Sequence, residues 1–171
     1  MSGPGAAASL SGQGHQAAVA LVGRDVLTGP VVGVGVDAVD VPRFRRVLNR
    51  RPHLGERLFT DGERAYAGSA ADPVPRLSTR FAAKEAVMKA LGVGLGAFRF
   101  RDVEVVRIGL DPPTVMLHGD ADALARRAGV SRWHLSLTHT GQVGMALVVA
   151  EGVRPDRAAP AGVDASPPTK P

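Results

Sequence analysis

At 171 residues the chain has room for one domain with tails, and 44% hydrophobic against 22% charged residues supports a packed core and excludes wholesale disorder. The absence of cysteine removes disulfide scaffolds, thiolate metal sites and cysteine nucleophiles, and an aromatic content of 4% argues against a surface that stacks unpaired bases. A net charge of +5 favours an anionic partner.

Residues 1–30 are rich in Gly, Ala and Ser and carry no charge before Arg24. They lack the basic start and continuous apolar stretch of a secretory signal, and no apolar run in the chain approaches the roughly 18 residues of a membrane span. The expectation is a flexible N-terminal extension on a cytoplasmic protein. Val31 to Val36 reads as a strand ending at Asp37, and Pro42 is placed to open a helix through Phe44, Val47 and Leu48 with Asp40 at its positive end. Between Arg43 and Arg57 lie six arginines and one acid, Glu56, which make either a solvated face or a docking surface for an acidic partner. Nucleic-acid-binding signatures are absent.

Asp61 to Ala67 reads as a short helix and Asp72 to Pro75 as a loop. Ser78 is the expected N-cap of a helix running to Leu91 and stopped by Gly92 and Gly94. Val103 to Ile108 and Thr114 to Leu117 form two strands across the turn Asp111-Pro112-Pro113. Asp120 to Ala128 is a helix capped by Gly129, and Trp133 to Thr138 with Val143 to Val149 a hairpin across Gly141. Residues 152–171 are rich in proline and charge and read as a disordered tail, which leaves residues 31–151 as the domain. Mixed helices and antiparallel hairpins make the class α+β.

The helix around residue 85 carries the chemistry. Ala83, Val87, Ala90 and Leu91 form an apolar stripe, while Glu85 and Lys89, four apart, share another face. Alone, that pair is an ordinary helix-stabilising contact. Arg80 and Lys84 add two cations within three turns, and Gly92 and Gly94 follow, a combination suited to phosphates with a carboxylate kept for a metal. Asp37 is the second carboxylate; with Glu85 it offers two hard oxygens to Mg²⁺, although a strand-end Asp also serves as a turn residue. Gly33, Gly35 and Ala38 nominally fit a dinucleotide fingerprint, but they lie inside the strand. His139, beside Thr140 and Gly141, is either a phosphate donor or a turn residue, and no G-x-S-x-G elbow precedes Ser136.

Together, Gly33-Val34-Gly35-Val36-Asp37 with Asp40 and Arg43, Phe59-Thr60 with Glu63, the run from Arg80 to Gly94, and Trp133 to His139 resemble the holo-acyl-carrier-protein synthases, the small trimeric class of 4′-phosphopantetheinyl transferases. The match covers residues 31–151. The resemblance implies an antiparallel sheet packed with a long central helix and active sites at the subunit interfaces of a homotrimer. It implies transfer of 4′-phosphopantetheine from the substrate coenzyme A to a serine of an apo acyl carrier protein. Asp37 and Glu85 would hold Mg²⁺, and Glu85 and Lys89 would be catalytic. Arg80, Lys89, Gly92, Gly94 and His139 would bind coenzyme A, and Arg43, Arg46 and Arg50 would dock the carrier. The general base stays open between Glu85 and a water on the metal, and the carrier between fatty-acid, polyketide and peptide types. A module that only binds acidic carriers through the arginine helix is the competing reading. No nucleic acid or membrane partner is expected.

Overall fold

The computed structural model describes residues 27–153, with helices α1 (Val41–Arg50), α2 (Leu54–Leu58), α3 (Asp61–Gly68), α4 (Val74–Ala90) and α5 (Gly119–Arg127). Strands β1 (Val31–Asp40), β4 (Val130–His139) and β5 (Val143–Gly152) form an antiparallel sheet in the order β1-β5-β4. Strands β2 (Val103–Val106) and β3 (Thr114–Leu117) pair as a second, two-stranded sheet. The expected α+β class and the long helix packed on an antiparallel sheet are present. No helix among the described residues is long and apolar enough to cross a membrane.

The packing of α4 on the sheet explains the composition of both. Ala82, Ala83 and Ala86 are fully buried on the helix. Opposite them, a Cβ on Gly35 would overlap the carbonyl oxygen of Ala86, one on Gly33 that of Ala90, and one on Gly144 the hydroxyl of Ser78. The helix therefore rests on strand backbone, and the glycines within β1 serve this approach instead of a nucleotide loop. Val87, Val103, Val105, Ala146 and Val148 continue the core between the layers. The opposite face of the sheet is apolar and open, with Val34 57%, Val36 52% and Leu147 44% exposed.

Several boundaries differ from the sequence reading. Strand β1 does not end at Asp37; it continues to Asp40, with Asp37 opposite Ala146 and Asp40 opposite Val143. Asp40 then caps α1 by accepting a hydrogen bond from Arg43 N at 2.7 Å, and Pro42 sits in the first turn as expected. Helix α4 starts at Val74, within the expected loop, because prolines are tolerated in a first turn and Val74 is buried there. Ser78 is thus inside the helix, where its hydroxyl donates to Pro75 O at 2.8 Å. Helix α2 was not anticipated; it is too short for a periodic signal.

The expected extension and tail fall largely on residues 1–26 and 154–171, outside the described residues. The nearest described part of the extension is bonded to the sheet. Glu151 Oε1 accepts hydrogen bonds from Thr28 N, Thr28 Oγ1 and Gly29 N, and Gly152 N donates to Pro30 O at 2.8 Å. Thr28, together with His134 on the other carboxylate oxygen at 2.5 Å, pushes the Glu151 carboxyl down to about 2.

Gly35→Ala is predicted to lower stability by about 1–3 kcal/mol through overpacking. Thermal unfolding checks this against Gly55→Ala, where a Cβ meets nothing within 4 Å. A Gly35→Ala melting point equal to that of Gly55→Ala contradicts the close approach.

Candidate active site

The contact between α4 and β1 sets Asp37, Glu85 and Lys89 side by side. Lys89 Nζ donates to Asp37 Oδ1 at 2.7 Å and to Val36 O at 2.9 Å. The partner of Lys89 is therefore across the helix–strand junction, and not Glu85 on its own helix as the i,i+4 spacing suggested. Burial, followed by the Asp37 charge, pushes the Glu85 carboxyl above its usual range, while Lys89 pulls it down. A half-buried carboxylate of raised basicity beside a second carboxylate is poised either to take a proton or to share a cation. Among the described residues no group of three or more His, Cys, Asp or Glu could enclose a metal. Two carboxylates at a cavity wall fit an ion that takes its remaining ligands from substrate phosphates and water.

Asp37 and Glu85 line a cavity of about 650 Å³ with Arg43. Part of its wall is aromatic: Phe81, one turn before Glu85, stacks on both Phe44 and Phe100 with centroids 5.3 Å apart. Arg43, Arg46 and Arg50 are exposed on α1, at spacings of three and four that place them on one side of the helix. Arg45, of the same run, is held instead by a two-point contact with Asp72 at 2.6 and 3.0 Å.

Arg80 and His139 come together, but in a different cavity, which shares no lining residue with the first. The separation follows from helix geometry: five residues from Arg80 to Glu85 turn about 140° around the axis. Arg80 is 3% exposed, with its guanidinium carbon 4.2 Å from the centre of the Tyr66 ring. Gly92 takes φ +67° at the end of α4, and at both Gly92 and Gly94 an added Cβ would meet nothing within 4 Å.

Lys84 is not available to phosphates, contrary to its grouping with Arg80 in the sequence. It is fully buried, 2.8 Å from Glu63 Oε2, and donates to the carbonyls of Phe100 and Val103. Glu63 also accepts from Thr60 N and Val105 N, so both buried charges are hydrogen-bonded as well as paired. The sequence signal for this pair was the capping box of Thr60 and Glu63. Tyr66, Arg76 and Arg107, which join Arg80 and His139 around the second cavity, were not singled out at all. The four-residue spacing of Arg76 and Arg80 on one helix was the available clue.

The profile of the 4′-phosphopantetheinyl transferase superfamily matches residues 33–148. A holo-[acyl-carrier-protein] synthase of Frankia alni is 49% identical over 121 residues, covering 71% of this chain and 98% of its own length. The crystal structure of holo-[acyl-carrier-protein] synthase from Neisseria meningitidis superposes with a TM-score of 0.65 at 32% identity, covering 71% of this chain and 99% of that one. A holo-(acyl-carrier-protein) synthase from Bacillus anthracis, solved in complex with CoA (3′,5′-ADP), gives 0.60 at 29% identity over 72% and 98% of the two chains.

Because the folded-state pKa of Glu85 is raised, the group binds its proton more readily when folded than when unfolded. Its contribution therefore lowers stability as pH rises from the ordinary carboxylate value through the raised one. Glu85→Gln is predicted to melt higher than the parent at pH 7 and to converge with it at acidic pH. A lower melting point at pH 7 contradicts this electrostatic description.

Proposed function

The chain belongs to the 4′-phosphopantetheinyl transferase superfamily, and we propose that it is a holo-acyl-carrier-protein synthase working through the junction of α4 and β1. The observation that carries the reading is the pair of Asp37 and Glu85 in one cavity with Arg43, with Lys89 bonded to Asp37 at 2.7 Å. A serine hydroxyl oxygen of the apo acyl carrier protein attacks the β-phosphorus of coenzyme A. The bond from that phosphorus to the bridging oxygen breaks, and adenosine 3′,5′-bisphosphate leaves. Such transfers depend chiefly on positioning and charge neutralisation.

Asp37 and Glu85 would hold Mg²⁺, which would supply positive charge against the pyrophosphate. Lys89, half exposed and now on Asp37, is positioned to turn its ammonium to a phosphate oxygen. The serine proton goes either to Glu85 or to a water at the ion, the two bases that the resemblance leaves open. Gly92 and Gly94 leave open ground after α4 where a ligand approaches backbone closely. The exposed row Arg43, Arg46 and Arg50 holds an acidic helix of the carrier, with Arg43 reaching the cavity where the serine must arrive. The same reading places the reaction in the cytoplasm.

We further propose that the working unit is a homotrimer. Arg80 and His139 meet the phosphates of coenzyme A, yet they lie around α4 from Asp37 and Glu85. A second copy docked on the open face of Val34, Val36 and Leu147 buries apolar surface and joins one chain's carboxylates to its neighbour's cations.

Intact mass of an apo carrier protein after incubation with this protein, coenzyme A and Mg²⁺ tests both statements. A gain of one phosphopantetheine group, prevented by EDTA, is expected. Asp37→Ala and Arg80→Ala chains are each expected to be inactive, and random mixing to restore roughly a quarter of parental turnover in a cyclic assembly. No gain with fatty-acid, polyketide and peptide carriers contradicts the transferase, and no recovery on mixing contradicts the shared site.

A further inference from the structure

The buried pair of Lys84 and Glu63 closes a circuit of contacts that runs through the wall of the carboxylate cavity. Lys84 Nζ donates to the carbonyl of Phe100 at 2.9 Å and to that of Val103, and it lies 5.6 Å from the centre of the Phe59 ring. Phe59, fully buried, meets Phe44 edge to face with centroids 6.3 Å apart and planes at 88°. Phe44 stacks on Phe81, and Phe81 on Phe100, whose carbonyl returns to Lys84. Phe44, Phe81 and Phe100 all line the cavity of Asp37 and Glu85. Phe44 also belongs to α1, between Arg43 and Arg46 of the exposed row. The circuit therefore joins the helix of that row to the helix of Glu85 through side chains that one ammonium clasps at both ends. Glu63 fixes the clasp: its carboxylate is 2.8 Å from Lys84 Nζ and accepts from Thr60 N at 2.9 Å and Val105 N at 3.0 Å.

A buried ion pair is weak support for stability, since desolvation offsets much of its attraction, and apolar residues of similar volume often replace one without loss. What an apolar pair cannot do is hold two carbonyls and two N–H groups in one geometry. We propose that Lys84 and Glu63 are positioning residues for the transfer: they lock the aromatic circuit that sets α1, where an acidic carrier docks, against the carboxylates of Asp37 and Glu85. This rests on the transferase reading. Both side chains are fully enclosed and touch no substrate. Their effect falls on the approach of the carrier serine, because α1 brings Arg43 to the cavity. Arg80 and His139, the groups assigned above to coenzyme A, line the other cavity and lie outside the circuit.

The test measures KM for the apo carrier protein and for coenzyme A in the parent, the neutral double variant Glu63→Gln/Lys84→Met, Phe100→Leu and the triple variant. The double variant removes both buried charges together, so no unpaired charge stays in the core. It is expected to raise KM for the carrier by roughly tenfold or more with KM for coenzyme A unchanged, as displacement of a docking element implies. Phe100→Leu, which keeps the pair, is expected to raise the carrier KM severalfold in the same way. The triple variant is expected to be no worse than the double, because all three changes open one circuit. A parental carrier KM in the folded double variant, equal rises for both substrates, or additive effects in the triple variant overturn the positioning role while the transferase stands. Where the double variant does not fold, Glu63→Asp decides, since it keeps both charges and shortens the clasp by one methylene. A rise in KM confined to the carrier then supports the proposal, and parental values for both substrates overturn it. A parent that transfers nothing to any carrier overturns the transferase reading and this proposal with it.

Discussion

The carbonyl oxygens of Ala86 and Ala90 occupy the space where side chains at Gly35 and Gly33 would begin, so α4 rests on the backbone of β1. That contact fixes the distance between helix and strand and the rotation of the helix about its axis. Both are needed to set Glu85 and Lys89 against Asp37. A helix held one side-chain layer further out would move Lys89 away from Asp37 and Val36, which it now reaches at 2.7 and 2.9 Å. The alanines at 82, 83 and 86 on the helix and the glycines at 33, 35 and 144 on the strands are thus two halves of one constraint.

Around this constraint the cations of α4 separate by burial. Lys84 is enclosed with Glu63 and binds carbonyls of the segment that leads into β2, which ties the small sheet and α3 to the central helix. Removing one member of such a pair commonly costs about 3–5 kcal/mol. Lys89 is on the Asp37 side and half exposed, and Arg80 is on the Tyr66 side. One helix therefore carries a structural pair and two cations on separate sides. The same geometry explains why the self-association we propose fits the reaction: no single chain brings the two sides into one cavity.

Much of this was legible from residue order. The cap of Asp40 on a helix opened by Pro42, the capping box of Thr60 and Glu63, and the stop at Gly92 are local chemistry written in neighbouring residues. The carboxylates Asp37 and Glu85 were legible through the family resemblance more than through spacing. What escaped depended on tertiary contact. Lys84 looks like its neighbours Arg80 and Lys89 in sequence, and only burial against Glu63 distinguishes it. The start of α4 was missed because two prolines and Asp72 mimic a loop, while Val74 packs in the core. The convergence of Tyr66, Arg76 and Arg107 draws on α3, α4 and the segment after β2, a meeting that no local pattern announces.

The central claim is that the backbone contact of α4 with β1 builds a two-carboxylate cation site. Its most direct test is the anomalous-difference density of Mn²⁺ in crystals of the full chain grown with coenzyme A. The account predicts one ion between the carboxylates of Asp37 and Glu85, with Lys89 turned from Asp37 to a phosphate oxygen. An ion bound elsewhere on the chain, with Lys89 still on Asp37, would contradict it.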